Sequence, residues 1–275
     1  MKKRKILIIS AAALAALLVI WTFITNITVG LTRYTITYSS LPEQFDGFRI
    51  AQVSDFHNAD FWGAEDAVVN AVKESKPDII AITGDLVDST YPNVEVSLSL
   101  VRRLSEIAPC YYVTGNHEAW IGDDSFKRLT DELSRYGVTI LRDSTAVLEK
   151  NGAELLIAGI DDPVFSYGID NIPEIAGNDE RFTVLLSHRP ECYDVYKASG
   201  VQLVLSGHAH GGQFRLPFLG GIYAPPQGIF PKYDCGIYQD GDFALAVSRG
   251  IGNSVFPVRF NNQPEVVAIE LRKAS

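Results

Sequence analysis

Arg49-Ile50-Ala51-Gln52-Val53-Ser54-Asp55-Phe56-His57 joins an apolar run to a short polar motif. Its first five residues read as a short strand, and an acid and an imidazole follow at once. Four more segments of the chain have the same build. Asp78 to Ile82 runs into Gly84-Asp85, and Cys110 to Val113 into Gly115-Asn116-His117-Glu118. Thr183 to Leu186 runs into Ser187-His188-Arg189, and Val201 to Leu205 into Gly207-His208-Ala209-His210. Strand ends that converge on one edge of a sheet are where α/β enzymes build their sites. One histidine beside a strand would be read as a core residue. Here all five histidines of the 275-residue chain fall in such polar motifs, which predicts a single binuclear metal centre.

Working outward, the next signal is the N-terminus. Ile6 to Ile24 is an apolar run broken only by Ser10 and Thr22, long enough to cross a bilayer as a helix. Lys2, Lys3, Arg4 and Lys5 precede it, and the next basic residue is Arg33. The positive-inside rule then places the N-terminus in the cytoplasm and the domain outside. The rival reading is a cleaved signal peptide, which needs a shorter apolar core followed by small residues at a cleavage site. Ala11 to Ala13 lie inside the run, and Thr22 to Leu31 offers no convincing site, so an uncleaved single-pass anchor in the cell membrane is expected.

Four of the 24 basic residues lie in that tail and no acid precedes Glu43, so the remainder carries 20 basic against 33 acidic residues, a formal −13. Such a surface lacks the footprint that phosphate contacts require, and no nucleic-acid partner is expected. An anionic substrate would need local positive charge. Two divalent ions would supply it, with +4 set against −2 from Asp55 and Asp85. The three cysteines, at 110, 192 and 235, have no C-x-x-C spacing, which excludes a disulfide framework and a thiolate zinc site. Cys110, in an apolar strand, reads as a small buried hydrophobe.

Helical spacing appears in Ala64 to Lys73 (Ala67, Val68, Ala71), Val94 to Ile107 (Val101, Leu104, Ile107) and Ser125 to Tyr136 (Leu129, Leu133). Asn151-Gly152 between Ala146–Lys150 and Ala153–Ala158 is a hairpin signal of type I′. Hairpin-like segments follow, including Phe243 to Ser248 and Glu265 to Leu271. No linker or repeat divides the roughly 250 residues beyond the anchor, enough for one large core. The order predicts an α/β (mixed α+β) fold, with two mixed β-sheets packed as a sandwich between flanking helices and preceded by one transmembrane helix. The expected divisions are a basic tail at 1–5, the anchor at 6–24, a tether and first strand at 25–47, and the catalytic domain at 48–275.

As an ordered set, D-x-H, G-D, G-N-H-[DE], H and G-H-x-H resembles the calcineurin-like metallophosphoesterase superfamily, over Asp55 to His210. Gly207 to Gln213, the segment around Tyr223-Ala224-Pro225, and Ser248-Arg249-Gly250 are similar to its membrane-anchored bacterial branch, which includes UDP-2,3-diacylglucosamine hydrolases. The resemblance implies that Asp85 bridges two metals, that Asp55, His57 and His210 complete one, and that Asn116, His188 and His208 complete the other. Water held between two such ions would ionise near neutral pH and attack phosphorus. Nitrogen and oxygen donors without sulfur suit Mn²⁺, Fe²⁺ or Zn²⁺. The resemblance further implies that His117 points at the leaving-group oxygen as general acid and that Asp88 orients its ring.

The chain departs from the pattern G-D-x-x-D-R at Ser89, so an arginine contact to phosphate is missing there. Arg189 and Arg249 are candidate replacements, with structural ion pairs as the other reading. Asp161 and Asp162 either face the site or serve the turn before Pro163. Asn26-Ile27-Thr28 matches a glycosylation acceptor by chance, since it abuts the membrane. Gly211 to Pro231 carries one charge, Arg215, and many apolar residues, and reads either as core packing or as an apolar contact patch. The expected activity is hydrolysis of a phosphodiester or pyrophosphate, in a phosphorylated small molecule or a lipid-linked one. A nucleotide or cyclic-nucleotide phosphodiesterase and a non-catalytic module are the alternatives, and the intact ligand set argues against the latter.

Overall fold

The central strands are buried on both faces, one against the opposite sheet and the other against covering helices and loops. The computed structural model describes residues 2–59, 63–166, 168–177, 180–253 and 256–274. The strands in chain order are β1 (Gly30–Tyr38), β2 (Arg49–Val53), β3 (Ile79–Thr83), β4 (Cys110–Val113), β5 (Thr139–Ile140), β6 (Ser144–Lys150), β7 (Ala153–Gly159), β8 (Thr183–Leu186) and β9 (Leu203–Ser206). Four short ones follow, β10 (Arg215–Leu216), β11 (Gly220–Gly221), β12 (Tyr223–Ala224) and β13 (Gly228–Ile229), then β14 (Gly236–Asp240), β15 (Phe243–Val247) and β16 (Glu265–Lys273). One six-stranded sheet has the order β1-β16-β2-β3-β4-β5, and the other β14-β15-β9-β8-β7-β6.

Ile50, Ile79, Ala81 and Val113 of the first sheet share a buried cluster with Ile157, Val184, Leu203 and Leu205 of the second. Their strand neighbours, such as Ala51, Ile80 and Ile82, face the opposite way, as the two-residue period requires. Those outward residues pack on the helices α2 (Ala64–Ser75), α3 (Val94–Ser105) and α4 (Asp123–Arg135) through Val68, Leu104 and Leu129. Tyr196 of α5 (Tyr193–Ala198) packs with Leu185 and Val204 over the second sheet. The fold is the expected mixed sandwich with flanking helices.

The Asn151-Gly152 hairpin forms as read. Both residues are left-handed (φ 52° and 79°), and β6 pairs antiparallel with β7. Cys110 is buried and unpaired. One expectation needs correction. Phe243–Val247 does form a hairpin, with β14, but Glu265–Lys273 crosses to the other sheet and lies parallel to β1 and antiparallel to β2. Most of β16 is buried, so it is satisfied only by a partner on each edge.

Strands β2, β3, β4, β8 and β9 run parallel within their sheets, so all five polar motifs leave from equivalent ends. The helix α1 (Lys2–Asn26) is apolar and long enough to cross a membrane, and its membrane-length window is wholly unburied. A core helix of that composition would be covered by protein. Its C-terminal part meets the domain, with the Trp21 ring against Phe260, Asn26 Nδ2 donating to the Arg259 carbonyl and the Arg259 N–H donating to Asn26 Oδ1, the last two both at 2.7 Å. Both ends of the Asn26 amide are thereby occupied, in keeping with a chance glycosylation motif.

Candidate metal centre

The turns that leave the strands are strained. Asp55, His57, Asp85, His208 and His210 all have positive φ, between 47° and 64°. Non-glycine residues avoid this region, and such strain concentrates at functional sites. Close approach of the loops adds a second constraint. A Cβ on Gly84 would lie 2.6 Å from the Gly115 nitrogen, and one on Gly207 2.3 Å from Asp55 Oδ2.

Among the described residues three groups of donor atoms result, one of them (His57, Asp88 and His117) sharing His57 with the first of the two fully buried groups. Asp55, His57 and His210 form that first buried group, with His57 Nε2 3.2 Å from His210 Nε2 and His210 Nε2 3.5 Å from Asp55 Oδ1. Asp85, His188 and His208 form the second, with His188 Nε2 3.1 Å from Asp85 Oδ2. That same Asp85 oxygen is 3.6 Å from His57 Nε2, so this carboxylate stands between the two buried clusters. His188 Nδ1 lies 2.7 Å from the Thr83 carbonyl, a contact that places the proton on Nδ1 and turns Nε2 inward.

The donor set fits divalent cations. Asp55 Oδ2, Asn116 Oδ1 and His188 Nε2 are buried and have no hydrogen-bond partner. A buried polar atom left unpaired costs about 1–3 kcal/mol, and three such atoms on these adjoining loops suit bound cations. Burial pushes His57 and His210 down to about 3 and His208 well below its usual range, which keeps these imidazoles neutral and able to ligate. His188 moves the other way. Burial pulls its pKa down, but the Asp85 and Asp55 carboxylates outweigh that and hold it at about 10.

The calcineurin-like phosphoesterase family model matches residues 48–212. The chain belongs to this family. It is 35% identical to the uncharacterized metallophosphoesterase YkuE of Bacillus subtilis, over 89% of this chain and 86% of the relative. It is 29% identical to the phosphodiesterase YaeI of Escherichia coli, over 82% of each. A zebrafish (Danio rerio) transmembrane protein with a metallophosphoesterase domain is 28% identical over 87% of this chain, which spans 56% of that longer protein. The chain is thus a metal-dependent phosphoester hydrolase.

Around the centre of this phosphoesterase is a cleft of 240 Å³, walled by Asn116, His117, Trp120, Arg189 and the Pro225-Pro226 pair. His117 is not held as expected. The Asp88 carboxylate is 3.8 Å from His117 Nδ1, too far for a hydrogen bond. Its Oδ1 is taken by the amides of Thr90 and Tyr91. The Ser89 amide donates to His117 Nδ1 instead, at 3.0 Å. An amide N–H can only donate, so Nδ1 accepts and the proton of the neutral ring sits on Nε2.

The two arginines separate. Arg189 lines the cleft, with its guanidinium on Asp162 (Nε to Oδ2 2.5 Å, Nη2 to Oδ1 3.1 Å) and Nη1 2.8 Å from His208 Nε2. Asp162 therefore serves the site indirectly, while Asp161 binds Thr114 and Arg142. Arg249 is turned away from the cleft, where its guanidinium pairs with buried Glu265 and reaches Thr32 at 3.2 Å. Its ion pair fastens β16 beside β1, so the structural reading of Arg249 replaces the phosphate contact.

Two buried groups behind the ligands were not read as functional from sequence. Glu118 accepts the amides of Asp85 (3.0 Å), Leu86 (2.7 Å), Val87 (3.2 Å) and Gly115 (2.7 Å), so one carboxylate sets both ligand loops. Burial, with the charge of Asp85, pushes it up to about 7 against the pull of those amides. Arg259 is 1% exposed and places Nη2 3.2 Å from His210 Nδ1 while donating to the carbonyls of Arg249 and Gly252. Glu118→Gln keeps the shape but replaces one acceptor oxygen with a donor. It is expected to lower stability by about 1–3 kcal/mol in urea denaturation and to weaken metal retention. Unchanged values for both would remove Glu118 from this role.

Proposed function

We propose that this chain is a membrane-anchored phosphoesterase with two metal ions, and that it cleaves a phosphodiester or pyrophosphate bond. Asp55, His57 and His210 would hold one ion and Asn116, His188 and His208 the other, with Asp85 shared. The carrying observation is the placement of Asp85 Oδ2, within 3.6 Å of His57 Nε2 and 3.1 Å of His188 Nε2. When bound, two divalent ions (Mn²⁺, Fe²⁺ or Zn²⁺) supply Lewis acidity to the phosphoryl oxygens and acidify a water.

The chain's own groups do the rest. His117, on the cleft wall, offers the proton on Nε2 to the leaving oxygen. Trp120, 56% exposed and 5.5 Å from the His117 ring, flanks the leaving group at the mouth. Arg189 is the single cationic side chain among the described residues lining the cleft, and Asp162 neutralises it. A dianionic monoester would therefore meet little protein charge, which favours diesters. The name of the Escherichia coli relative agrees with that choice. The lipid-linked version of this reading takes a substrate like UDP-2,3-diacylglucosamine.

The deciding assay loads purified chain with Mn²⁺, Fe²⁺ or Zn²⁺ and compares aryl diesters, aryl monoesters, nucleotides and UDP-diacylglucosamine. Higher kcat/KM on diesters or pyrophosphates than on monoesters is expected, and a monoester preference would overturn the assignment. Topology is tested separately. The basic tail before α1 supports a catalytic domain outside the cytoplasm, by the positive-inside rule. A reporter active only there, fused after Ser275, is expected to be active. An inactive external reporter with an active cytoplasmic one would reverse the orientation and strengthen the lipid-precursor reading, whose substrate is cytoplasmic.

A further inference from the structure

We infer that the face built from residues 214–230 and 256–260 docks on the membrane that α1 crosses, with a lipid acyl chain lying in the groove between α1 and that face. This rests on the anchored reading above. The groove is 610 Å³ and is lined by Leu18, Val19 and Phe23 of α1 and by Pro257, Val258 and Phe260 across from them. The Trp21 ring packs edge-on against Phe260 at 6.1 Å, and Asn26 clamps the Arg259 backbone.

Helix length then fixes the depth. The run Ile6 to Ile24, at about 1.5 Å per residue, matches a hydrocarbon core of about 30 Å. Leu18 to Phe23 must therefore sit in its outer part, and a segment packed beside them must dip into the same layer. The composition of 256–260 suits that position. Phe256 and Val258 are exposed at 44% and 46%, and the one charge, Arg259, is buried and turned inward toward His210.

The neighbouring hairpins extend the face. Arg215 donates its amide to the Phe260 carbonyl at 2.9 Å, Ile222 to Phe214 at 2.8 Å, and Phe230 to Ile222 at 2.8 Å. Phe218, at a hairpin tip, is fully exposed, while Leu219, Ile229 and Phe230 are each more than half exposed. The single charge of 214–230, Arg215, is spent on Asp234 at 2.8 Å. A bonded unit this apolar and this exposed is a contact surface, and continuity with α1 names the bilayer as its partner.

The same unit reaches the chemistry. Pro225 and Pro226 wall the cleft. Gln213 Nε2 donates to the Phe256 and Val258 carbonyls, and Asn262 Nδ2 to the His210 carbonyl. Docking this face opens the cleft beside the headgroup layer, which selects phosphoesters carried on amphiphiles.

The test places the photoreactive residue p-benzoylphenylalanine, one site at a time, at Val19, Phe218, Val258 or Arg135 of the full chain. Each variant is reconstituted into phosphatidylcholine–phosphatidylglycerol vesicles carrying acyl-tritiated lipid and irradiated, with aryl-diester turnover as the check on folding. Labelled adducts are expected at 19, 218 and 258 and not at 135. An adduct at 19 with none at 218 or 258 would overturn the docking face while leaving the anchor intact. No adduct at 19 would overturn the anchor and the face together, and labelling at 135 equal to that at 218 would make the contact non-specific and overturn it.

Discussion

Asp85→Ala is expected to yield a folded chain that retains neither metal and has no measurable turnover. The carboxylate faces both donor clusters, at 3.1 Å from His188 Nε2 and 3.6 Å from His57 Nε2, so its loss opens both coordination shells. Its other oxygen accepts the His117 amide at 2.8 Å, which ties the His117 loop to the centre. Backbone strain confuses the alanine result, because Asp85 has φ 52° and alanine tolerates that region poorly, at roughly 1–2 kcal/mol. Asp85→Asn removes the charge while keeping a side chain that tolerates the left-handed region. It is expected to lose metal as well, with a melting temperature closer to that of the metal-free parent. The readout is metal content by mass spectrometry after gel filtration, beside thermal melts. Two tightly retained ions in either variant would sink the bridging assignment.

What could be read from sequence was local, and what could not was assembled from afar. Val53 to His57 and its four counterparts declare strand and ligand within a few residues, because a period-2 apolar run and a metal-binding side chain both act at short range. The Asn151-Gly152 turn is legible for the same reason. The place of β16 is not, since its residues announce a strand but not that β1 and β2, over two hundred residues earlier, leave a gap between them.

Arg259 escaped notice on similar grounds. It stands 49 positions beyond His210 in the chain and reaches His210 Nδ1 only through the folding that brings 256–260 beside the centre. Arg249 followed a motif-like Ser-Arg-Gly, yet the nearby charge of Glu265 claims it. Asp88 shows a finer limit. The motif gave the residue, but its oxygen caps the Thr90 and Tyr91 amides, a habit of Asp in turns, and the ring contact passes to Ser89.

That transfer shapes the second large effect, at His117. His117→Ala is expected to keep its metals, since the seven proposed ligands remain, and to lose about 10²–10⁴-fold in kcat on substrates with poor leaving groups. On a p-nitrophenyl diester, whose leaving oxygen hardly needs a proton, the loss should be much smaller. The Ser89 amide and hydroxyl both reach Nδ1 at 3.0 Å and fix the ring with Nε2–H, so Ser89→Ala, which keeps the amide and loses the hydroxyl, should cost far less than His117→Ala on poor leaving groups. Asp88→Asn separates charge from position. Its Oδ1 can still cap the turn, so the backbone should hold, while the carboxylate 3.8 Å from Nδ1 is gone. The variant is expected to lose rate selectively on poor leaving groups, and an unchanged rate on them would remove the Asp88 carboxylate from the reaction. A His117→Ala variant that slows both substrate types equally would place the residue in binding or structure instead of proton transfer.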